Sequence, residues 1–348
     1  MENTPPLEYV GIASAIGIIL VVFGHSIPPH LTFPNDDLFS IISYAIVDYI
    51  YVFHMPLFFF ISGLLFIHTN TPNLKRKYSD LLKNKAVRLL LPYLVLGTLA
   101  FIPKIFLAEF AKNPIEPSLE YYLRTIIYPW NNSIRFFWFL PTLFLMFLIA
   151  PIVLNVIHRE QLKLQQFYNI LIFVMLVSLN YLFDHNQKPE TFMNYSGVFH
   201  NLIYFWLGMW IYNKLGKSTN KRVFETGIHT LLWGVILFSL SVIMYLFFNN
   251  NVAELLSAVF AILGVITLSV FLVKTKLEIL KLIGKYSYQI YLFSFFFQVP
   301  VQLILYYKLQ TGSALLMVGS FVIGLFGPLL AVYIIKSLKI RGQVLVGL

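Results

Sequence analysis

The stretch IILVVFGHSIPP, residues 18–29, is apolar enough to lie in lipid and yet contains an imidazole and a hydroxyl. Such a run is typical of a membrane-spanning helix, which needs about 20 predominantly apolar residues. Its end carries Gly24, His25 and Ser26, which a turn at the membrane surface does not require. Because ionisable residues inside a membrane domain are functional candidates by default, the stretch predicts a transmembrane helix with a functional histidine near one end.

The composition of the whole chain indicates a membrane protein. Of its 348 residues, 58% are hydrophobic and 11% are charged, and the mean hydropathy is +0.76, whereas soluble domains carry about 25% charged residues. Apolar runs recur to the last residues, so we expect one transmembrane domain over residues 1–348. No basic segment precedes the first apolar run, so we expect the first helix to stay in the mature chain. The absence of cysteine excludes disulfides and thiol catalysis, and we expect no metal site.

The expected fold class is all-α, a polytopic bundle of transmembrane helices. Because about 17 to 25 residues are needed to cross a bilayer, the apolar runs predict about ten spans. The predicted spans cover residues 10–27, 44–67, 87–106, 136–157, 167–183, 198–212, 228–248, 253–273, 286–307 and 314–335. An even number of spans places both termini on the same side of the membrane.

The number of lysine and arginine residues alternates between high and low in successive connections between the predicted spans. Nineteen of them lie on one side of the predicted membrane and six on the other. The positive-inside rule then places both termini in the cytoplasm, together with the basic loop 68–88, and places the loop 107–135 outside. The net charge of +10 is distributed over five cytoplasmic segments, as orientation requires. We therefore expect the lipid bilayer, and no nucleic acid, as the partner of this charge.

Two histidines lie at depth in the predicted membrane domain. In this orientation His25 falls near the extracytoplasmic end of span 1, and His54, two residues before Pro56, falls in the outer half of span 2. The two imidazoles can therefore meet. The alternative for each is an interfacial residue that donates to a headgroup or to a backbone carbonyl. On the same span, Ser62 and Gly63 predict a small face for close helix packing.

Two further stretches carry candidate binding residues. In the outer stretch YPWNNSIRFFWFLPTLF, residues 128–144, Arg135 and Trp138 fit either an aromatic belt at the membrane interface or a sugar-stacking platform. The cytoplasmic stretch NLKRKYSDLLKNKAVRLLLPYL, residues 73–94, leads into span 3, and clusters of lysine and arginine suit phosphate groups. The alternative for this cluster is orientation and anionic lipid alone. Its candidate phosphate-binding residues are Arg76, Lys77, Lys85 and Arg88, the last two one helical turn apart.

Six stretches, taken in order, resemble the motifs of one protein family. They are YVGIASAIGIILVVFGHS (9–26), FHMPLFFFISGLLF (53–66), KNKAVRLLLPYL (83–94), FFWFLPTLF (136–144), FWLGMWI (205–211) and IGKYSYQIYLFS (283–294). The family is the acyltransferase-3 family of integral-membrane acyltransferases, which includes bacterial carbohydrate O-acetylases. Each motif alone is weakly specific, whereas six in order with a matching topology are strongly specific.

The resemblance implies an enzyme of the bacterial cytoplasmic (inner) membrane. Such an enzyme transfers an acyl group, usually acetyl, from acyl-coenzyme A to a sugar hydroxyl of a surface polysaccharide or its lipid-linked precursor. Acyl-coenzyme A is then a co-substrate, and no cofactor is bound permanently. The resemblance carries His25 over as the essential histidine, and Lys85 and Arg88 as the basic pair near the donor. We expect Ser26 to be a hydrogen-bonding residue at the helix end rather than a nucleophile.

The chain departs from the family pattern at three positions. The family commonly has arginine or lysine where this chain has Ser14, aspartate where it has Gly11, and histidine where it has Ser294. Either another cation serves the donor, or the protein has drifted from this chemistry. The alternative function is a transporter or flippase of a lipid-linked sugar or small solute, and a third is a structural subunit of a polysaccharide assembly system.

Overall fold

The computed structural model describes residues 7–27, 38–70, 78–106, 117–157, 162–183, 190–216, 227–275 and 277–337. Within these ranges the chain is helical and contains no β-strand. The helices are α1 (Glu8–Gly24), α2 (Leu38–Asn70), α3 (Tyr78–Phe106), α4 (Leu119–Ile127), α5 (Phe139–Ile157), α6 (Leu162–Leu182), α7 (Tyr195–Ile211), α8 (Ile228–Phe247), α9 (Asn251–Leu272), α10 (Glu278–Lys285), α11 (Ser287–Leu303) and α12 (Ser313–Ser337). The predicted all-α class is confirmed.

Each of the ten predicted spans lies on a helix, although the structure adds two short helices that we did not predict. The helices long and apolar enough to cross a bilayer number 6 in the described part of the chain: α2, α3, α8, α9, α11 with its π-helical extension to Lys308, and α12. The helical segments Glu8–Gly24, Arg135–Pro151 and Gln166–Leu182 are apolar but shorter. The number of crossings and the side of the termini stay predictions.

Both predicted loops contain helix in their described parts. Residues 78–88 of the basic loop 68–88 form the first turns of α3. In the outer loop 107–135, Leu119–Ile127 forms α4, and Pro129–Asn131 forms a 3₁₀ turn. A second 3₁₀ turn, Arg135–Trp138, leads directly into α5. The outer stretch is therefore held against the helix bundle rather than extended from it.

The first helix lies at the centre of the bundle. A helix that is apolar on all sides buries all sides, and α1 contacts α2, α9, α10, α11 and α12. By contrast, α8 lies at the periphery, where it exposes Leu232, Trp233 and Val235. The functional candidates at the end of α1 are consequently surrounded by helices from both halves of the chain.

Glycines allow α2 and α7 to approach backbone to backbone. A Cβ built on Gly63 would overlap the carbonyl oxygen of Phe205, and one built on Gly208 would overlap the carbonyl oxygen of Phe60. Small residues permit such close packing between membrane helices. The small face predicted at Gly63 is confirmed, and it fixes the part of α2 that follows the candidate site.

Candidate active site

Three carbonyls in the last two turns of α1 accept hydrogen bonds from the two residues that follow the helix. The final carbonyls of a helix have no partners within the helix, and the membrane core offers no water to replace them. The His25 N–H donates to the Val21 carbonyl at 3.2 Å, and the Ser26 N–H donates to the Phe23 carbonyl at 3.0 Å. The Ser26 hydroxyl donates to the Val22 carbonyl at 2.7 Å. Ser26 thus acts as the expected hydrogen-bonding residue, and His25 is the first residue beyond the helix.

Tyr51 of α2 lies between the two histidines. Its hydroxyl donates to the Gly24 carbonyl at 2.8 Å and lies 3.4 Å from Nδ1 of His25. Its ring centroid is 5.9 Å from that of His25 and 5.0 Å from that of His54. Because the single hydroxyl proton is directed at Gly24, the 3.4 Å contact to His25 is a hydrogen bond when the imidazole proton is on Nδ1. This tautomer leaves Nε2 of His25 able to accept a proton.

The two histidines lie on either side of the Tyr51 ring and differ in their surroundings. His54 is buried, and its Nδ1 donates to the Ile50 carbonyl of its own helix at 2.9 Å. This is the backbone hydrogen bond that the alternative interpretation of His54 predicts. His25 is half-buried, and its ring lies 4.8 Å from the ring of Phe136. Of the two, His25 is therefore the one that a substrate can reach.

The wall beside His25 comes from the 3₁₀ turn Arg135–Trp138. The Phe136 carbonyl accepts a hydrogen bond from the buried Tyr291 hydroxyl of α11 at 2.6 Å, and the Phe136 and Tyr291 rings lie 5.4 Å apart. The turn is consequently anchored to α11 while its Phe136 ring faces His25. Neither Tyr51 nor Phe136 was predicted, because each acts through residues distant in sequence.

Arg135 and Trp138 belong to one aromatic and cationic cluster with Trp130. The indoles of Trp130 and Trp138 stack with centroids 5.1 Å apart and an interplanar angle of 14°. The exposed Arg135 guanidinium lies 5.6 Å from the Trp130 ring, and the next residue, Phe136, faces His25. The structure thus brings this cluster to the same end of the bundle as His25.

The predicted donor residues lie at the other end of α11. The half-buried Lys85 has its Nζ 4.0 Å from the Phe147 ring centre of α5. Arg88 is exposed, its guanidinium is 5.3 Å from the Tyr288 ring of α11, and the Tyr288 hydroxyl donates to its carbonyl. The two cations therefore contact different helices although they are one turn apart. Arg76 and Lys77 lie outside the described residues.

One helix connects the two ends of the candidate site. Tyr288 contacts Arg88, and Gln302, near the other end of α11, contacts the His25 carbonyl. The 14 residues from 288 to 302 on this helical segment span about 21 Å at 1.5 Å per residue. Arg88 and the backbone of His25 therefore contact opposite ends of the same helical segment.

The three positions that depart from the family pattern carry no ionisable side chain. The Ser14 hydroxyl donates to the Val10 carbonyl of its own helix at 2.8 Å. Gly11 forms the close approach of α1 to α10, because a Cβ on Gly284 would overlap the Gly11 carbonyl. Ser294 is buried in α11. At these positions, small side chains and close helix packing replace the ionisable residues of the family.

The fold and this site define an integral-membrane protein in which a hydrogen-bonded histidine directly follows the last residue of the central helix. The model of the acyltransferase-3 family, described as an acyltransferase domain, matches residues 8–336. The chain therefore belongs to the acyltransferase-3 family and is a membrane acyltransferase, as its motifs predicted. No curated protein and no solved structure matches the chain.

Proposed function

We propose that the protein transfers an acetyl group from acetyl-coenzyme A to a sugar hydroxyl of a surface polysaccharide or its lipid-linked precursor, in the bacterial cytoplasmic membrane. The observation that carries the proposal is the geometry of His25. Its ring is half-buried against Phe136, and Tyr51 lies 3.4 Å from its Nδ1. An imidazole side chain can take up and return a proton, which suits the role of a general base.

The chemical step uses the free Nε2 of His25. Nε2 takes the proton from the acceptor hydroxyl while the hydroxyl oxygen attacks the thioester carbonyl. The tetrahedral intermediate then collapses, the carbon–sulfur bond breaks, and the coenzyme A thiolate takes the proton back from the imidazolium. The products are the acetyl ester and free coenzyme A, so no covalent acyl-protein intermediate is required.

The two substrates approach from opposite ends of the site. Lys85 and Arg88, with Arg76 and Lys77, bind the phosphates of coenzyme A as point charges and bidentate forks, and the pantetheine arm extends between the helices toward His25. Arg135 and the indole of Trp138 line the acceptor end, and the buried His54 supports it by packing against the Tyr51 ring. This arrangement lets a cytoplasmic donor meet an extracytoplasmic acceptor.

The decisive experiment measures label from acetyl-labelled coenzyme A in the glycans and glycolipids of membranes with and without the protein. We expect incorporation that depends on the protein and is released by mild base, as an ester is. Absence of label, with a glycan preparation that another O-acetylase does acetylate, would contradict the proposal. The transporter or flippase would then be tested by uptake of lipid-linked sugar, although the family membership favours the acyltransferase.

Removal of both donor cations is expected to weaken donor binding. A hydrogen bond to a charged group contributes about 1.5–3 kcal/mol, so K85Q/R88Q should raise the KM for acetyl-coenzyme A by about tenfold or more and change kcat less. K214Q removes one exposed charge from another predicted cytoplasmic connection and serves as the control. A rise in KM that is equal in the control would show that only net charge matters.

Loss of the Tyr51 hydroxyl is expected to slow transfer without changing donor affinity. Tyr51→Phe removes the hydrogen bond to Gly24 and the contact to His25 Nδ1, and one neutral hydrogen bond contributes about 1 kcal/mol, or about fivefold in rate. Steady-state kinetics in detergent would measure kcat and KM for both forms. Tyr333→Phe, on an exposed part of α12, is the matched control, and equal rates for Tyr51→Phe and wild type would contradict the assignment of the tautomer.

A further inference from the structure

Two glutamines on α11 lie buried where the helix is otherwise mainly apolar and aromatic. Gln298 is 2% exposed and Gln302 is 6% exposed. They are four residues apart and thus on one face of the helix. A buried amide costs free energy unless it is hydrogen-bonded. The acceptors of the two amide groups therefore indicate which part of the molecule this face of α11 holds.

Gln298 binds the last turn of α1. Its Nε2 donates to the Val22 carbonyl at 2.8 Å and lies 3.4 Å from the Ser26 hydroxyl. Gly324 of α12 makes the room for this side chain, because a Cβ there would overlap the glutamine Cγ. Three helices therefore meet at this amide.

Gln302 binds the backbone of the histidine itself. Its Nε2 donates to the His25 carbonyl at 2.7 Å, and the Ser26 carbonyl lies 3.3 Å away. The same nitrogen contacts the hydroxyl of Ser320 on α12 at 2.8 Å, and Ser320 is fully buried. The two N–H groups of the amide are thus shared between the end of α1 and α12.

His25 depends on such a contact because it lies outside the helix. Its φ of −99° and ψ of 4° are those of a capping residue, so its carbonyl points beyond the regular hydrogen bonds of α1. Tyr51 holds the neighbouring Gly24 carbonyl from the α2 side, and Gln302 holds the His25 carbonyl from the α11 side. The peptide units on both sides of the His25 Cα are therefore fixed by side chains.

We propose that Gln302, supported by Gln298, is a positioning residue for acyl transfer, which holds the His25 backbone so that the imidazole meets the acceptor hydroxyl and the thioester. The proposal rests on the function proposed above. Gln302 does not touch the reacting atoms, so it acts through His25. Small misplacements of a reacting group can cost about 100-fold in rate, so loss of the amide contacts should slow the chemical step.

The test compares Gln302→Met, which keeps the length of the side chain and removes both N–H groups, with Gln289→Met, the same change at a buried glutamine of the same helix. We expect kcat to fall about 10- to 100-fold in Gln302→Met, with the KM for acetyl-coenzyme A nearly unchanged, and a much smaller loss in Gln289→Met. In the His25→Ala background the same substitution should cause no further loss, because Gln302 acts only through His25. Losses that multiply in the double variant would overturn the proposal.

A second measurement does not depend on acyl transfer. Diethyl pyrocarbonate modifies accessible imidazoles, and mass spectrometry of peptides gives the rate at each histidine. We expect the His25 peptide to react several-fold faster in Gln302→Met, since the end of α1 then opens locally, while the exposed His229 reacts at an unchanged rate. An unchanged rate at His25 would overturn the proposal even if transfer is observed. A changed rate without transfer would show that Gln302 holds the His25 backbone and would place the failure in the proposed function. If Gln302→Met does not fold, Ser320→Ala removes one anchor of the same amide and should change both readouts in the same direction.

Discussion

His25→Ala is expected to lower the rate of acetyl transfer by about 100- to 10,000-fold, the range contributed by a general base. The imidazole at the end of α1 is the accessible member of the histidine pair, and its Nε2 is the nitrogen left free by the Tyr51 contact. The loss should appear in kcat, because the predicted donor residues lie at the far end of α11. Label transfer from acetyl-coenzyme A in detergent, with a protein of unchanged thermal midpoint, would measure it.

The control for this prediction is His229→Ala, since His229 is exposed on the peripheral α8. His54→Ala tests the second imidazole of the pair, which already donates to a backbone carbonyl. We expect a smaller loss for His54→Ala than for His25→Ala, because His54 is buried. Equal transfer by His25→Ala and wild type would make His25 an interfacial residue and would remove the basis of the proposed mechanism.

Gly63→Ala is expected to cause a large loss of stability. Its new methyl group would overlap the Phe205 carbonyl, and a backbone carbonyl cannot move aside as a flexible side chain can. Overpacking of this kind costs about 1–3 kcal/mol in the free energy of unfolding. The thermal midpoint of the purified protein in detergent should therefore fall, and a larger fraction should aggregate on size-exclusion chromatography.

Gly11→Ala is the matched control, because it makes the same change within a helix where a Cβ meets nothing within 4 Å. Alanine favours a helix over glycine, so this variant should be as stable as wild type or slightly more so. If the two variants lose equal stability, the contact between α2 and α7 is looser than the structure has it, and the small face at Gly63 is not what joins the helices.

The positions of the long helices could be predicted from the sequence because each apolar run is long and bounded by polar residues. The short helices α4 and α10, of 9 and 8 residues, were missed because they lie in segments assigned to loops. Only tertiary contacts stabilise helices of such length. The same limit applies to the 3₁₀ turn that carries Phe136, since nothing in its spacing predicts that its ring faces His25.

Part of the candidate site could also be predicted. The predicted orientation places His25 and His54 at similar depth, so that they can meet, and in the structure the ring of Tyr51 lies beside each of them. Lys85 and Arg88 were predicted as phosphate-binding residues one helical turn apart. Their spacing does not indicate that Lys85 contacts α5 and Arg88 contacts α11. The glutamines of α11 were missed. A polar residue on an apolar helix indicates that a hydrogen-bond partner exists, but the sequence does not identify that partner.

The hydrogen bond between Gln298 and Val22 joins residues 276 positions apart. A ribosome adds about 5–20 residues per second, so the glutamine is synthesised about 14–55 s after its partner. During that interval the Val22 and His25 carbonyls lack the glutamine donors that α11 supplies. The candidate catalytic end of α1 is therefore completed only when α11 is made, and a chain that stops before α11 would carry His25 without the Gln302 contact to its carbonyl.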